Sequence, residues 1–178
     1  MERPTFDVPT RDQVSPTNQS IFDKMTKGIG MVPNLYATFA WSDDALADYL
    51  ALQNRKTTLS VKEKEIVNLV VSEVNNCEYC RRAHSAVAGK FFSPEQLLEI
   101  RRADVTFDNK LRALAAFVKD VTVSRGHASE GAVEALFAAG YDKANLVDIM
   151  IGIGDKTISN YLHGVTHVPV EFPEVPAI

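Results

Sequence analysis

Apolar residues recur every three or four positions along most of the chain, whereas strand-like alternation is rare. The clearest stripe lies between Asp108 and Val123, where Leu111, Leu114 and Val118 fall on one face. This spacing is typical of an amphipathic helix that buries a single face. Similar patterns predict helices over about residues 17–27, 34–40, 43–54, 93–102, 129–140 and 142–163. The fold class predicted from the pattern is therefore all-α.

One apolar segment, residues 66–74, is ambiguous because it is rich in β-branched side chains. It could be a strand that leads into a cysteine pair, as in a thioredoxin-like fold. However, Ser60 and Glu63 have the spacing of a capping box, in which the serine oxygen accepts from a first-turn amide while the glutamate reaches back. This signal predicts that a helix begins at Val61. Its middle is apolar nearly all round, which indicates a buried central helix.

Composition and charge limit the class of protein. The 178 residues are 46% hydrophobic and 24% charged, as expected of one globular domain. A net charge of -4 provides no basic field for nucleic acid or anionic lipid. No apolar run approaches the roughly 20 residues of a membrane helix, and the first residues do not form a secretory signal, so we expect a cytoplasmic protein. Prolines indicate an extended arm over residues 1–16 and a non-helical tail over residues 168–178.

Both cysteines of the chain lie in one CxxC motif, formed by Cys77 and Cys80, and His84 follows four residues later. Glu65 precedes Cys77 by twelve residues. In a cytoplasmic protein such a pair is more often a working dithiol or a metal site than a structural disulfide. These four side chains are therefore the candidate functional residues, provided that the fold brings them together.

Two consecutive asparagines, Asn75 and Asn76, predict a break that would bring them together. Asparagine favours turns and tolerates left-handed backbone, so one helix is expected to end here and another to begin near Cys77. In the resulting antiparallel hairpin, Glu65 lies ten residues before Asn75 and His84 lies nine after it. The two side chains would then be at nearly the same level.

On the second helix of this hairpin, Cys77, Cys80 and His84 share one face. Unpaired amides and the helix dipole would favour a thiolate at Cys77, at the start of the helix. His84 could exchange a proton with Cys80, and Glu65 could orient the imidazole. The same residues could instead hold zinc or be inert. Because two thiolates, one histidine and one glutamate are an unusual set for structural zinc, a redox dithiol is the favoured interpretation.

The spacing of the four candidate residues, with the Cys77-Glu-Tyr-Cys80 motif at its centre, resembles the alkylhydroperoxidase D-like (AhpD-like) branch of the carboxymuconolactone decarboxylase superfamily. Residues 30–34 are similar to the GxVPN segment of peroxidase-related members, and residues 158–161 extend the resemblance. The resemblance implies an all-helical fold and homo-oligomers, commonly trimers or hexamers. It also implies a peroxiredoxin-type antioxidant oxidoreductase that reduces hydroperoxides without a metal or organic cofactor.

The resemblance further implies a role for each residue. Cys80 would attack the peroxide and become a sulfenic acid, Cys77 would supply a proton and resolve it as a disulfide, and an unidentified dithiol would regenerate both thiols. His84 and Glu65 would form the proton relay. Tyr79 stands where the best-characterised branch has a histidine, which implicates it in substrate access and predicts a shorter relay. The alternatives are a metal-binding or redox-sensing module and a decarboxylase-like enzyme, although decarboxylases of the superfamily often lack the CxxC motif.

Overall fold

A computed structural model of the protein describes residues 6–178, and the regular secondary structure of these residues is entirely helical. A short 3-10 helix covers Arg11–Gln13. The α-helices of the described chain are α1 (Pro16–Ile29), α2 (Asn34–Phe39), α3 (Ala45–Gln53), α4 (Val61–Val74), α5 (Glu78–Ala88), α6 (Pro94–Arg102), α7 (Asn109–Val123), α8 (Glu130–Ala138) and α9 (Lys143–Thr166). The all-α prediction is confirmed, and the ambiguous segment 66–74 is helical.

Side-chain caps determine where the central helices begin. The hydroxyl of Ser60 accepts from the backbone N–H of Glu63 at 3.3 Å, and the carboxylate of Glu63 accepts from the backbone N–H of Ser60 at 2.8 Å. Ser93 and Gln96 form the same reciprocal pair at the start of α6. Each pair satisfies two backbone amides that a helix start otherwise leaves unpaired. The start of α4 at Val61 is therefore as predicted.

The described chain divides into two compact units. One contains the residues through Arg55 together with residues 162–171, and the other contains residues 56–161 together with residues 172–178. The second unit contains α4 to α8, most of α9 and all four candidate residues. The single domain expected from the chain length stays a prediction.

Helix α4 forms the centre of the second unit and contacts α5, α6 and α7. Ile66, Leu69, Val70 and Val71 of this helix are at most 1% exposed. Burying side chains of this size contributes about 1.5–3 kcal/mol each, relative to leaving them in water. The hydrophobic core therefore holds α4 in place and, with it, any polar side chain that α4 presents to its neighbours.

The first unit has a smaller core of its own around α1, α2 and α3. Phe22 and Leu46 are buried at its centre, and the ring of Phe39 stacks on Tyr49 with 4.3 Å between ring centroids. The buried amide of Asn18 donates to the backbone carbonyls of Ala40 and Ser42. This unit contains none of the four candidate residues.

The extended N-terminal arm and the non-helical C-terminal tail that the prolines predict agree with the structure to different extents. Residues 1–5 of the expected N-terminal arm lie outside the described residues; residues 6–10 have no regular structure, and α1 already includes Pro16. Residues 168–178 contain no helix or strand, as their prolines predict. In the part of the chain that the structure describes, no helix is long and apolar enough to cross a membrane.

Candidate active site

The turn between α4 and α5 places both cysteines at one helix end. Helix α4 ends at Val74, and Asn76 adopts a left-handed conformation with φ of 51°. The N–H of Asn76 donates to the carbonyl of Glu73 at 3.0 Å, and the N–H of Cys77 donates to that of Ser72 at 2.9 Å. These two bonds make up a Schellman motif, with asparagine in the position that glycine usually takes. The chain thus reverses at the site of the paired asparagines.

The two thiols are free, buried and joined through the backbone of α5. Cys77 is the N-cap of α5, and its sulfur accepts from the N–H of Cys80 at 3.4 Å. Cys77 is 2% exposed and Cys80 is 3% exposed. Since the N-cap residue lies just outside the helix, the two sulfurs are neighbours within a single turn.

Glu65 and His84 meet across this turn. The Nδ1 atom of His84 lies 2.9 Å from Oε2 of Glu65, and the amide of Asn68 donates to Oε1 at 3.2 Å. Burial raises the pKa of Glu65, but the hydrogen bond with His84, the charges of His84 and Lys156 and the bond from Asn68 outweigh burial and leave this pKa below its ordinary value. Glu65 is therefore a carboxylate that can fix the imidazole ring and stabilise its charged form.

Helix α9 contributes an amide that connects the turn to the thiols. The amide nitrogen of Asn160 donates to the hydroxyl of Ser72 at 3.2 Å, and its oxygen accepts from the amide of Asn75 at 3.0 Å. Asn160 is 2% exposed, and its amide lowers the pKa of Cys80 and opposes the rise in the pKa of Cys77. Leaving a buried amide without a hydrogen-bond partner costs about 1–3 kcal/mol of stability. The two bonds of Asn160 therefore hold the turn against α9.

Helix α9 also brings a hydroxyl and a cation to Cys80. The hydroxyl of Ser159 lies 3.9 Å from the sulfur of Cys80 and donates to the carbonyl of Lys156 at 3.0 Å. Lys156 itself is 2% exposed, and its charge acts on both Cys80 and Glu65. The thiol of Cys80 therefore faces polar groups from two helices.

The surroundings separate the pKa values of the two thiols. The hydrogen bond from Cys77, opposed by burial and assisted by Lys156, His84 and Asn160, lowers the pKa of Cys80 to about 6. The hydrogen bond to Cys80, together with burial, raises the pKa of Cys77. The prediction that the helix start would favour a thiolate at Cys77 is therefore wrong. The N-terminal amide does act on Cys77, but the hydrogen bond with Cys80 and burial outweigh it.

Tyr79, which lies between the two cysteines in the sequence, is buried. It is 4% exposed, and its ring meets Phe172 edge to face with 5.4 Å between centroids. Arg82 donates to the carbonyl of Phe172 at 3.4 Å and so holds this part of the tail against α5. The tail therefore packs against α5 at Tyr79, and the role of Tyr79 in substrate access stays a prediction.

Residues 39–120, which include the CxxC motif, match the model of the Carboxymuconolactone decarboxylase family. These residues belong to that family. The superfamily predicted from the spacing of Glu65, the CxxC motif and His84 is thus confirmed.

Solved structures of similar fold agree with the family assignment. An uncharacterized peroxidase-related protein from Silicibacter sp. TM1040 has a TM-score of 0.82 at 24% identity, covering 95% of this chain and 92% of that chain. A peroxidase-related protein from Ralstonia eutropha JMP134, described as an alkylhydroperoxidase AhpD core, has a TM-score of 0.80 at 21% identity, with coverages of 89% and 87%. The debrominase Bmp8 in complex with 2,3,4-tribromopyrrole has a TM-score of 0.77 at 16% identity, with coverages of 96% and 94%. These similarities show the AhpD-like fold. No curated protein sequence matches the chain.

Sequence reasoning missed Lys156 and Ser159. Both lie more than 70 residues from the CxxC motif along the chain. One signal was available: Ile149, Ile153 and Lys156 follow helical spacing, so a lysine continues an apolar stripe. Among residues 6–178, no group of three or more His, Cys, Asp or Glu side chains is arranged to hold a metal ion.

Proposed function

We propose that this protein is a thiol-dependent peroxidase that reduces hydroperoxides through Cys77 and Cys80. The observation that carries the proposal is the asymmetry of the pair: Cys80 has a pKa of about 6, whereas the pKa of Cys77 is raised. At neutral pH the pair thus offers one thiolate nucleophile and one thiol that can still give a proton. The match of residues 39–120 to the Carboxymuconolactone decarboxylase family and the fold shared with peroxidase-related proteins support the same function.

The first proposed step oxidises Cys80. Its thiolate attacks the terminal oxygen of the hydroperoxide, an S–O bond forms as the O–O bond breaks, and the alkoxide leaves as the alcohol after taking a proton. That proton comes from the Cys77 thiol or from the imidazolium of His84, which Glu65 stabilises at 2.9 Å. The sulfur is oxidised to a sulfenic acid, and the peroxide is reduced.

The second and third steps return the site to its starting state. The sulfur of Cys77 attacks the sulfenic acid of Cys80, the S–S bond forms as the S–O bond breaks, and hydroxide leaves as water after taking the proton that remains on Cys77 or His84. A dithiol reductant then attacks this disulfide by thiol exchange, so that both protein thiols are restored and the reductant becomes a disulfide. The turn suits these steps because Cys77 lies outside α5 and can approach Cys80 without unwinding the helix.

The test uses the full chain with hydrogen peroxide or an organic hydroperoxide and dithiothreitol as the dithiol. We expect Cys80→Ser to abolish peroxide consumption. Without dithiothreitol, which would itself reduce a sulfenic acid, Cys77→Ser should consume about one equivalent of peroxide and then stop, with a sulfenic acid at Cys80 that dimedone traps and mass spectrometry locates. Wild-type turnover in Cys80→Ser would refute the mechanism. Turnover of a small lactone that survives replacement of both cysteines would favour a decarboxylase-like enzyme instead.

The remaining expectations from the resemblance stay predictions. The native reductant is proposed to be a dithiol, because the disulfide needs two electrons and two protons to return to the thiols. A homo-oligomer, trimer or hexamer, is proposed as the native assembly, and sedimentation velocity would give its mass.

A further inference from the structure

Lys156 is a buried cation in the unit that contains the thiols. It continues the stripe of Ile149 and Ile153 on α9 and is 2% exposed. Lysine is almost never fully buried unless its charge is compensated, because an ammonium group loses several kcal/mol of hydration in a protein interior. The anions that compensate Lys156 are therefore a question of function as well as of stability.

The charge of Lys156 lowers the pKa values of two ionisable groups on other helices. Its charge acts on Glu65 of α4 and on Cys80 of α5. Ser159, one turn later on the same face of α9, has its hydroxyl 3.9 Å from the sulfur of Cys80, which places this face of the helix against the thiol. Cys77 and His84 also lower the pKa of Cys80. Glu65 contacts the ring of His84.

We propose that Lys156 is a positioning residue whose ammonium group stabilises the Cys80 thiolate and the Glu65 carboxylate of the reduced protein. This inference rests on the proposed redox function of the cysteine pair. When the pair becomes a disulfide, Cys80 loses its negative charge and Lys156 keeps only Glu65 as an anion. Lys156 therefore favours the reduced state, in the same way that stabilised thiolates make other CxxC disulfides strong oxidants.

The expected change in the redox equilibrium follows from the ionisation of Cys80. Removal of the cation can raise the midpoint at most from about 6 to the value of about 8.5 for an unperturbed cysteine, because the hydrogen bond from Cys77 and the charge of His84 also lower it. At that limit, ionisation at pH 7 ceases to stabilise the reduced state. The statistical weight of that state then falls about tenfold, from about 11 to about 1. For a two-electron couple, a tenfold change corresponds to a potential about 30 mV more negative.

The test compares four variants of the full chain: Lys156→Met, Lys156→Gln, Lys156→Arg and Lys143→Met. Methionine and glutamine remove the charge at similar length, and arginine retains it. Lys143 lies in the same helix but is exposed, so Lys143→Met controls for net charge. Removing one partner of a buried charge pair can cost about 3–5 kcal/mol, so circular dichroism and urea unfolding are used to establish that each variant is folded.

Two readouts are needed for each variant. The first is the pH midpoint of Cys80 alkylation by iodoacetamide, located by mass spectrometry; the midpoint is used because thiolate nucleophilicity itself rises with pKa and would mask a change in rate. The second is the disulfide fraction at equilibrium in a series of dithiothreitol redox buffers. We expect both neutral variants to raise the midpoint toward about 8.5 and to favour the disulfide up to about tenfold. Lys156→Arg and Lys143→Met should stay near the wild type.

An unchanged midpoint and equilibrium in Lys156→Met and Lys156→Gln would overturn the inference, as would an equal shift in Lys143→Met. Failure of both neutral variants to fold would assign the charge to stability alone and would overturn it too. Neither readout needs peroxide turnover. If the wild type fails to reduce peroxides and yet loss of Lys156 shifts both readouts, the peroxidase proposal fails and the role of Lys156 stands.

Discussion

Replacement of Glu65 by glutamine isolates the electrostatic part of the proposed proton relay. Glutamine has nearly the same shape and can still accept from Asn68, but it has no charge to offer the imidazolium of His84. The contact at stake is the bond of 2.9 Å between His84 Nδ1 and Glu65 Oε2, in a site where Glu65 is 6% exposed. The variant therefore changes charge while it leaves packing intact.

The magnitude follows from the kind of bond that is lost. A hydrogen bond to a charged group contributes about 1.5–3 kcal/mol more than no bond. If this energy stabilises the proton transfer that accompanies O–O cleavage, kcat/KM falls about 10- to 150-fold in Glu65→Gln. The fall should appear mainly in kcat, since the residue is expected to act on the reacting proton and not on the bound peroxide.

The assay is peroxide consumption with saturating dithiothreitol, measured for the wild type, Glu65→Gln and Glu63→Gln. Glu63 is a matched control on the same helix, because its cap to Ser60 accepts from backbone and hydroxyl groups that glutamine also satisfies. Gln96 does the same at the start of α6. Glu63→Gln should retain wild-type kcat/KM. Wild-type kcat/KM in a folded Glu65→Gln protein would refute the relay.

Two further predictions concern stability, with urea unfolding as the measurement. Asn76 has φ of 51°, so Asn76→Val should cost about 1–2 kcal/mol of unfolding free energy because a β-branched residue is strained there. Asn76→Gly should be neutral or stabilising. Equal stability of the valine and glycine variants would contradict the turn geometry. Glu73 accepts from Arg81 at 3.0 Å and from the buried guanidinium of Arg101 at 2.8 Å. Glu73→Gln should therefore cost about 3 kcal/mol by leaving a buried charge without its partner, and a loss below that of the exposed control Glu95→Gln would show that the pair contributes nothing.

Features encoded by neighbouring residues could be predicted from the sequence. The starts of α4 and α6 follow from the side chains at Ser60 and Ser93, which act on amides three residues away. The meeting of Glu65 and His84 follows from counting along two helices on either side of one turn, because helical rise is constant. Both inferences need only the local chain and a single reversal of direction.

Features that depend on which helices pack together could not be predicted in the same way. Lys156 reaches the thiol site only because α9 lies beside Cys80, and nothing in the local sequence of α5 specifies that neighbour. The same gap explains the wrong prediction for Cys77. The helix start was visible in the sequence and favours a Cys77 thiolate, whereas the hydrogen bond with Cys80 and burial oppose it, and the more distant charge of Lys156 favours the thiolate of Cys80. The ionisation of a thiol is the sum of all these effects, so a local argument chose the wrong sulfur.

The capping bond from the amide of Cys80 to the sulfur of Cys77 makes the stability of a helix end depend on oxidation. A thiol or thiolate sulfur can accept this hydrogen, but a disulfide sulfur is a poorer acceptor and its position is fixed by a second covalent bond. On oxidation the first turn of α5 consequently exchanges a hydrogen-bond cap for a covalent bridge. We expect the amide proton of Cys80 then to lose its partner and to exchange faster with solvent deuterium. A single backbone hydrogen thus records the redox state of the pair without any label on either sulfur.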